Sequence, residues 1–443
     1  MSIVNFLVIV NIAPSKQTAT LKSVRIYITL QYIPQRKLEF RLMAIAVSHY
    51  KLIINYRSFT MSNVFYMPPV TLMGPNAIQS LGAELASKEL KKALIVTDSV
   101  LVEVGLVSKL TDELKTHNLD FVVFDGVQPN PTEKNIEDGL ALLAESKADF
   151  VISFGGGSSH DTAKGIALVA ANGGHIRDYS KGVHLSKKPQ LPLVTVNTTA
   201  GTASEMTVFA IITNQEDETK YPVVDKHFTP IIAVNDSELM VAMPKFLTAT
   251  TGMDALTHAV EAYVSTAATP ITDASAIKAI ELIVNNLEAV VNNGQDREAR
   301  DAMQYGEYLA GMAFSNASLG YVHSMAHQLG GVYNLSHGLC NAILLAEVSR
   351  FNAKQVPERF VDIAKAMGVD VSGMTQEQAV NAALEAIDAL SEKVGTKQRL
   401  ADLGVTEDKL AFMAQNALND ACSLTNPRQA NLAEIVNIFK ARM

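Results

Sequence analysis

Five short apolar runs punctuate the first half of the chain. KKALIVTD from Lys91, FVVFDG at 121–126, DFVISFGGG at 149–157, LPLVTVNTT at 191–199 and IIAVND at 231–236 are brief, partly β-branched and closed by polar or glycine residues, the signature of buried strands. A helical stretch runs toward Thr116 and another spans about Lys134 to Glu145. Strands alternating with helices at this spacing predict a parallel α/β sheet. Past about Met243 the β-branched runs give way to long segments rich in Ala, Leu, Glu and Met with helical periodicity, so the second half is predicted to be all-helical. The expected division is an α/β domain over 61–243 and a helical domain over 244–443, with Pro244 ending one element and opening the next. No internal repeat or low-complexity tract interrupts this pattern.

A chain of 443 residues with 48% hydrophobic and 19% charged residues buries a large core, which normally divides between two domains. The formal charge of -8 argues against a general nucleic-acid or membrane-surface binder, because both partners are polyanionic. No apolar run reaches the roughly 18 to 20 residues that span a bilayer as a helix. Only two cysteines occur, Cys340 and Cys422, too few for a disulfide framework and consistent with a reducing, cytoplasmic setting. The charge is uneven. Residues 1–60 hold eight Lys or Arg against one acid, Glu39, and a second start-like run, MSNVFYMPPV, opens at Met61. We read 1–60 as an extension outside the fold, either a targeting presequence, mitochondrial if genuine, or an upstream stretch from a wrong start. The apolar MSIVNFLVIV ahead of any positive charge reverses the order of a secretory signal and favours the wrong start.

Two segments carry candidate cofactor chemistry. After Phe154, the run Gly155, Gly156, Gly157, Ser158, Ser159 leads into the helical HDTAKGIALVAAN. Glycines at a strand-to-helix turn let backbone approach a phosphate while the helix amides point at it. The spacing is not the G-x-G-x-x-G fingerprint, and such loops also occur as plain tight turns. Asp98, at the end of the first apolar run, either accepts ribose hydroxyls, which would favour NAD over NADP, or caps the next helix. In NTTAGTASE, Thr198, Thr199 and Thr202 follow a strand, where hydroxyls serve phosphate or nicotinamide, or merely a turn.

The helical half holds the sharper signal. Asp254 and His258 are four apart in TGMDALTHAVEAY, which places both on one helix face. His323 and His327 repeat that spacing in GYVHSMAHQLGG, and His337 follows in NLSHG. Any one of these could be a satisfied core histidine. As a set they concentrate four of the chain's ten histidines beside a carboxylate, which packing does not require. Imidazoles with one carboxylate suit Fe, Zn, Ni or Co rather than Mg or Ca. Spacing alone leaves open whether His323 or His327 is the third ligand.

The runs GGGSSHD, NTTAGTASEMT, TGMDALTHAVEAYVS, GMAFSNASLGYVHSMAHQLGG and DACSLTNPRQ resemble the iron-containing (group III) alcohol dehydrogenases, from about Ser62 to the C-terminus. The nearest branch is that of 1,3-propanediol dehydrogenase and lactaldehyde reductase. The resemblance implies an N-terminal Rossmann-like dinucleotide-binding domain, a helical metal-binding domain and an active site between them. It implies Asp254, His258, His323 and His337 as ligands of Fe2+, with Zn2+ the alternative, and leaves His327 for proton transfer or substrate orientation. It further implies NAD contacts at Asp98, Asn130, Gly156, Gly157, Ser158, Asp161, Thr198, Thr199, Thr202 and Lys220, and a substrate-pocket wall at Phe314. Val208 stands where many relatives have Arg, and Ala346 with Glu347 where many have Pro-His, which bears on substrate preference and local electrostatics.

The implied reaction is hydride transfer between NAD and a short-chain primary alcohol or diol, reversible toward the aldehyde, by a homo-oligomer with neither nucleic-acid nor membrane partners. The rivals are a glycerol dehydrogenase-like or dehydroquinate synthase-like metalloenzyme, and a non-catalytic metal- and nucleotide-binding regulator on the same scaffold.

Overall fold

The computed structural model describes residues 63–216 and 219–443, together with the backbone of two antiparallel strands, β1 (Asn5–Val10) and β2 (Val24–Thr29). The extension read at 1–60 otherwise lies outside the described residues. Met1–Asn63 and Val64–Met443 are two compact units, and the second carries every candidate site residue.

In that second unit the strands are β3 (Thr71–Met73), β4 (Lys92–Val96), β5 (Asp120–Phe124), β6 (Phe150–Gly155), β7 (Leu193–Asn197), β8 (Phe209–Asn214), β9 (Thr219–Val224) and β10 (Ile232–Asn235). Six of them form one parallel sheet in the order β3-β10-β7-β6-β4-β5. Between and around them lie α1 (Leu81–Ala86), α2 (Ser99–Glu103), α3 (Val107–Thr116), α4 (Glu133–Ser146) and α5 (Gly157–Asn172). Successive residues of a strand face opposite sides of the sheet. Accordingly Ala93, Ile95, Ile152, Phe154, Val194 and Val196 pack with Leu81, Leu110 and Leu114 on one face. Leu94, Val96, Val151 and Leu193 pack with Ile136, Ile166 and Ala167 on the other. Covered on both faces, such strands read as continuous apolar runs, which is why five were visible in the sequence. Three strands were not, and of these β8 alternates buried and half-buried residues instead of running continuously apolar. β3 is three residues at the sheet edge. β9, paired antiparallel with β8, contains Pro222, which removes a donor and reads as a breaker.

Neighbours β4 and β6 mark the place where the strand order reverses, because the chain passes from β4 outward to β5 and then returns to the other side of β4. In open α/β sheets the crevice at the carboxyl ends of such strands is where ligands bind. Asp98 follows β4 and the glycine run follows β6.

Among the described residues no strand follows Asn235. The remainder is helical: α6 (Lys245–Val264), α7 (Pro270–Asn292), α8 (Arg297–Ala317), α9 (Tyr321–Tyr333), α10 (His337–Asn352), α11 (Pro357–Ala366), α12 (Gln376–Lys393), α13 (Glu407–Asn419) and α14 (Leu432–Lys440). α6 opens behind Pro244 and is buried over nearly all of Thr248–Val264, so it is the central helix, apolar on every side apart from a few polar groups. Ala200, Ala203 and Met206, from the loop after β7, belong to the same hydrophobic cluster as α6, α7 and α8. The α/β and helical halves therefore share a core at that loop. No helix among the described residues is long and apolar enough to cross a membrane.

Candidate functional site

Asp254 and His258 lie one turn apart on α6, His323 comes from the first turn of α9, and His337 is the first residue of α10. Their side chains converge. The Nε2 atoms of His258, His323 and His337 stand 4.0, 3.8 and 3.7 Å from Asp254 Oδ1. Glycine makes the last approach feasible: a Cβ on Gly338 would lie 2.4 Å from the Thr250 carbonyl oxygen, so only a bare backbone lets α10 start against α6.

The remaining ring nitrogens define which lone pairs face inward. His258 Nδ1 donates to the Gly201 carbonyl at 3.2 Å, and His323 Nδ1 donates to Glu261 Oε2 at 2.6 Å. Each Nδ1 therefore carries the hydrogen, and each Nε2 turns its lone pair toward Asp254. Glu261 has a second task. Its Oε1 accepts from Val322 N at 2.7 Å, so the same carboxylate satisfies the open start of α9 and orients the histidine that helix presents.

Asn341, one turn after His337, sits at the focus. Its Nδ2 lies 2.6 Å from Asp254 Oδ1, 3.1 Å from His323 Nε2 and 3.2 Å from His337 Nε2. Two amide hydrogens cannot serve three acceptors, and the Asn341 Oδ1 is buried with no partner. A group of inward-facing acceptors that protein donors cannot satisfy is what a cation requires, and nitrogen with one carboxylate fits Fe2+ or Zn2+.

The electrostatics agree. Burial lowers His258, and burial with the neighbouring imidazoles holds His323 well below its ordinary value. His337, with 40% of its side chain exposed, is lowered too, by loss of solvent around the ring and by His327 and Lys220. All three are thus neutral donors at neutral pH, as metal ligation demands. Burial raises Asp254, against the opposing charge of His258, and pushes Glu261 up to about 8, so a cation at the focus would supply the positive charge that keeps both carboxylates ionised.

His327 does not join the focus. Its Nδ1 donates to Asp420 Oδ2 at 2.8 Å, and its ring stacks on His337 with centroids 5.5 Å apart. Although burial pushes the Asp420 carboxyl up, the hydrogen bond and charge of His327 hold it below its usual range. His327, Asp420 and Cys422 form a second group of donors, all partly exposed. Phe314 stacks on His258 at 4.2 Å and on Phe209 at 6.2 Å, walling the metal focus on one side.

Of the residues expected to touch a dinucleotide, Asp98, the glycine run and the threonines stand at the carboxyl ends of β4, β6 and β7, whereas Asn130 and Lys220 lie apart, after β5 and on β9. α5 starts at Gly157 with no side-chain cap at Gly156, leaving its first amides available. A Cβ on Gly156 would lie 2.9 Å from Thr199 Cγ2, so the glycine and threonine loops touch. Thr198 N donates to the Gly155 carbonyl, and Thr202 Oγ1 accepts from Ser204 N. Ser158 stands in the first turn of α5. Asp98 caps α2, its Oδ1 accepting from Leu101 N at 3.0 Å. Lys220 donates to Asn130 Oδ1 at 2.8 Å, and Asn130 has φ 61°. Asp161 is buried, its two oxygens accepting from Ser204 Oγ and Ile211 N, so it braces the loop rather than lining open space.

Sequence reasoning missed Glu261, Asn341 and Asp420. The first two had a signal, since Glu261 follows His258 by three and Asn341 follows His337 by four, on the same helix faces. Asp420 opens the run DACSLTNPRQ, but at 93 residues beyond His327 no spacing tied it to that histidine.

Residues 68–237 match the family model described as iron-containing alcohol dehydrogenase, and residues 248–443 the one described as Fe-containing alcohol dehydrogenase family, C-terminal. The chain is 50% identical over 383 residues to alcohol dehydrogenase 4 of Schizosaccharomyces pombe, covering 86% of this chain and 89% of that one. It is 45% identical over 376 residues to the NAD-dependent methanol dehydrogenase of Bacillus methanolicus, covering 85% and 98%. A solved structure of 1,3-propanediol oxidoreductase superposes with a TM-score of 0.85 at 45% identity, covering 86% of this chain and all of that one.

Proposed function

The chain belongs to the iron-containing alcohol dehydrogenase family, and on that premise we propose that Asp254, His258, His323 and His337 hold its catalytic divalent metal beside an NAD site at the β4–β6 switch point. The protein is an oxidoreductase of CH–OH groups, an alcohol dehydrogenase and aldehyde reductase. The convergence of Asp254, His323 and His337 on one over-subscribed amide, Asn341, is the observation that carries the ligand assignment.

When bound, the ion supplies a Lewis acid for the alcohol oxygen and NAD supplies the hydride acceptor. The chain's own groups do the rest. Glu261 and the Gly201 carbonyl keep the histidine lone pairs aimed at the focus. His327 takes the alcohol proton at Nε2, because Asp420 holds the Nδ1 proton in place. Gly156, Gly157 and Ser158 receive the pyrophosphate at the start of α5, with Thr198, Thr199 and Thr202 alongside. Asp98, Asn130 and Lys220 line the approach, and Asp161 acts by bracing. We assign short primary alcohols or diols as the substrates, the class named for the methanol and propanediol relatives, with Phe314, flat against His258, as a wall of their pocket.

We take the two domains to meet near Met243 and Pro244, with α6 the first element of the metal-binding half. We also place the enzyme in the cytoplasm as a homo-oligomer, on its two free cysteines and its kinship; light scattering on the eluting peak tests the assembly. The deciding experiment is metal analysis of protein purified without oxygen, then stripping and refilling with Fe2+ or Zn2+ while NADH absorbance is followed with ethanol, butanol and 1,3-propanediol. Full activity after complete stripping refutes the metal assignment.

A further inference from the structure

The group formed by His327, Asp420 and Cys422 has no role for its thiol in the reaction just described. One donor atom from each of the three lies within 4.8 Å of the others. Their placement is built rather than incidental. Asp420 ends α13 and caps the single turn Ala421–Thr425, accepting from Cys422 N at 2.9 Å, so the carboxylate and the thiol leave the same turn. The imidazole arrives from α9 and is locked by its 2.8 Å bond to Asp420. All three stay partly exposed, with 30% of the His327 and 17% of the Asp420 side chain open, so a small cation can reach them. An imidazole, a carboxylate and a thiol are the donors of zinc-type sites, whereas the neighbouring focus offers only nitrogen and oxygen.

We propose that His327, Asp420 and Cys422 form a second binding site for a thiophilic divalent cation of the Zn2+ or Co2+ class, whose occupancy blocks His327 and inhibits the enzyme. Binding forms a metal–sulfur bond as the Cys422 thiol releases its proton to solvent. The thiolate and Asp420 together balance the two positive charges, so the site is neutral when filled. The His327 nitrogen beside Asp420 is Nδ1. Its coordination shifts the ring proton to Nε2, the atom that must be free to accept the alcohol proton. Loss of solvent and the carboxylates Asp420 and Glu261 hold the thiol well above its ordinary value, so the cation must displace its proton. The inhibitory half rests on the role given to His327; the existence of the site does not.

Cobalt separates the two. Metal-stripped enzyme is titrated with Co2+ while the near-ultraviolet spectrum is recorded, because only a thiolate ligand produces a sulfur-to-cobalt charge-transfer band. The first equivalent should fill the nitrogen–oxygen focus without that band, and the second should produce it. C422S should lose the band and keep the visible bands of the first site. A C340S control guards against the other thiol, which lies three residues after His337. No band at any ratio, or one that survives in C422S, overturns the site. In turnover assays, each protein scaled to its own rate at one equivalent, excess Zn2+ should inhibit the unmodified enzyme at least about tenfold more strongly than C422S. A C422-dependent band with no added inhibition overturns the block at His327 and with it that residue's proposed task.

Discussion

Replacing Glu261 by Gln changes one atom type at the most buried carboxylate of the site. The carboxylate is 2% exposed and makes two strong contacts, Oε2 with His323 Nδ1 at 2.6 Å and Oε1 with Val322 N at 2.7 Å. Glutamine can keep the second, since its oxygen still accepts from Val322. Its amide nitrogen then faces the His323 Nδ1 hydrogen, two donors against each other. The ring relieves this by moving its proton to Nε2, which puts a hydrogen where the ligand lone pair had been. A hydrogen bond to a charged partner contributes about 1.5–3 kcal/mol. At roughly 1.4 kcal/mol per tenfold, the loss weakens metal binding by about ten- to a hundredfold, the range typical of partners behind a ligating histidine. Competition against a chelator of known affinity, with Fe2+ or Zn2+, measures it directly. Circular dichroism and the melting temperature of the stripped protein report whether α9 stays in place. Affinity within twofold of the unmodified protein, with the fold intact, would refute the claim that Glu261 aims His323.

H327A should cut turnover more than metal content, and D420N should shift the pH–rate profile in the same direction with a smaller loss; a profile unchanged in H327A sinks the proton role. G156A puts a methyl 2.9 Å from Thr199 Cγ2, so the KM for NAD should rise about tenfold or more while that for the alcohol moves little, as initial rates at varied NAD would show. Glu205 and Glu307 are fully buried; burial raises both carboxyls, and the charge of Glu205 raises Glu307 further. A raised folded value gives stability that is complete below the ordinary carboxyl range and is lost as pH rises through the raised values. The melting temperature should therefore fall as pH rises from about 5 through about 7, the value to which Glu205 is pushed up. Above that, Lys164, lowered to about 8 chiefly by burial, begins to act in the opposite sense. E307Q keeps the acceptor for Ala203 N and should flatten this decline; an equally steep decline would show that the pair is not its source. Stripping the metal should lower the melting temperature as well, since an ion at a hundredfold over its Kd stabilises the folded state by about 2.7 kcal/mol, and calorimetry with and without refilling reads the difference.

The strands of the sheet were legible because burial on both faces demands uninterrupted apolar runs, and a run such as KKALIVTD has few other uses. β3, β8 and β9 escaped because an edge strand of three residues, a strand alternating buried and half-buried positions and one containing Pro222 carry too little of that pattern. The glycine loop was legible as a loop, but its contact with Thr199 was not, since those residues are more than forty apart and meet only when β6 and β7 pair.

At the site the division is sharper. Helical periodicity alone put Asp254 with His258 and His323 with His327, because residues four apart share a helix face whatever surrounds them. Local spacing treats His323 and His327 alike. Packing distinguishes them: α9 docks with its first turn against Glu261, which turns His323 into the focus, and the next turn meets Asp420, which draws His327 out of it. The sequence by itself therefore determined the donors and their pairing along each helix. Only the tertiary structure decided which histidine turns toward Asp254 and which toward Asp420, because that choice is made by partners 62 and 93 residues distant, brought near by the burial of α6 and α9.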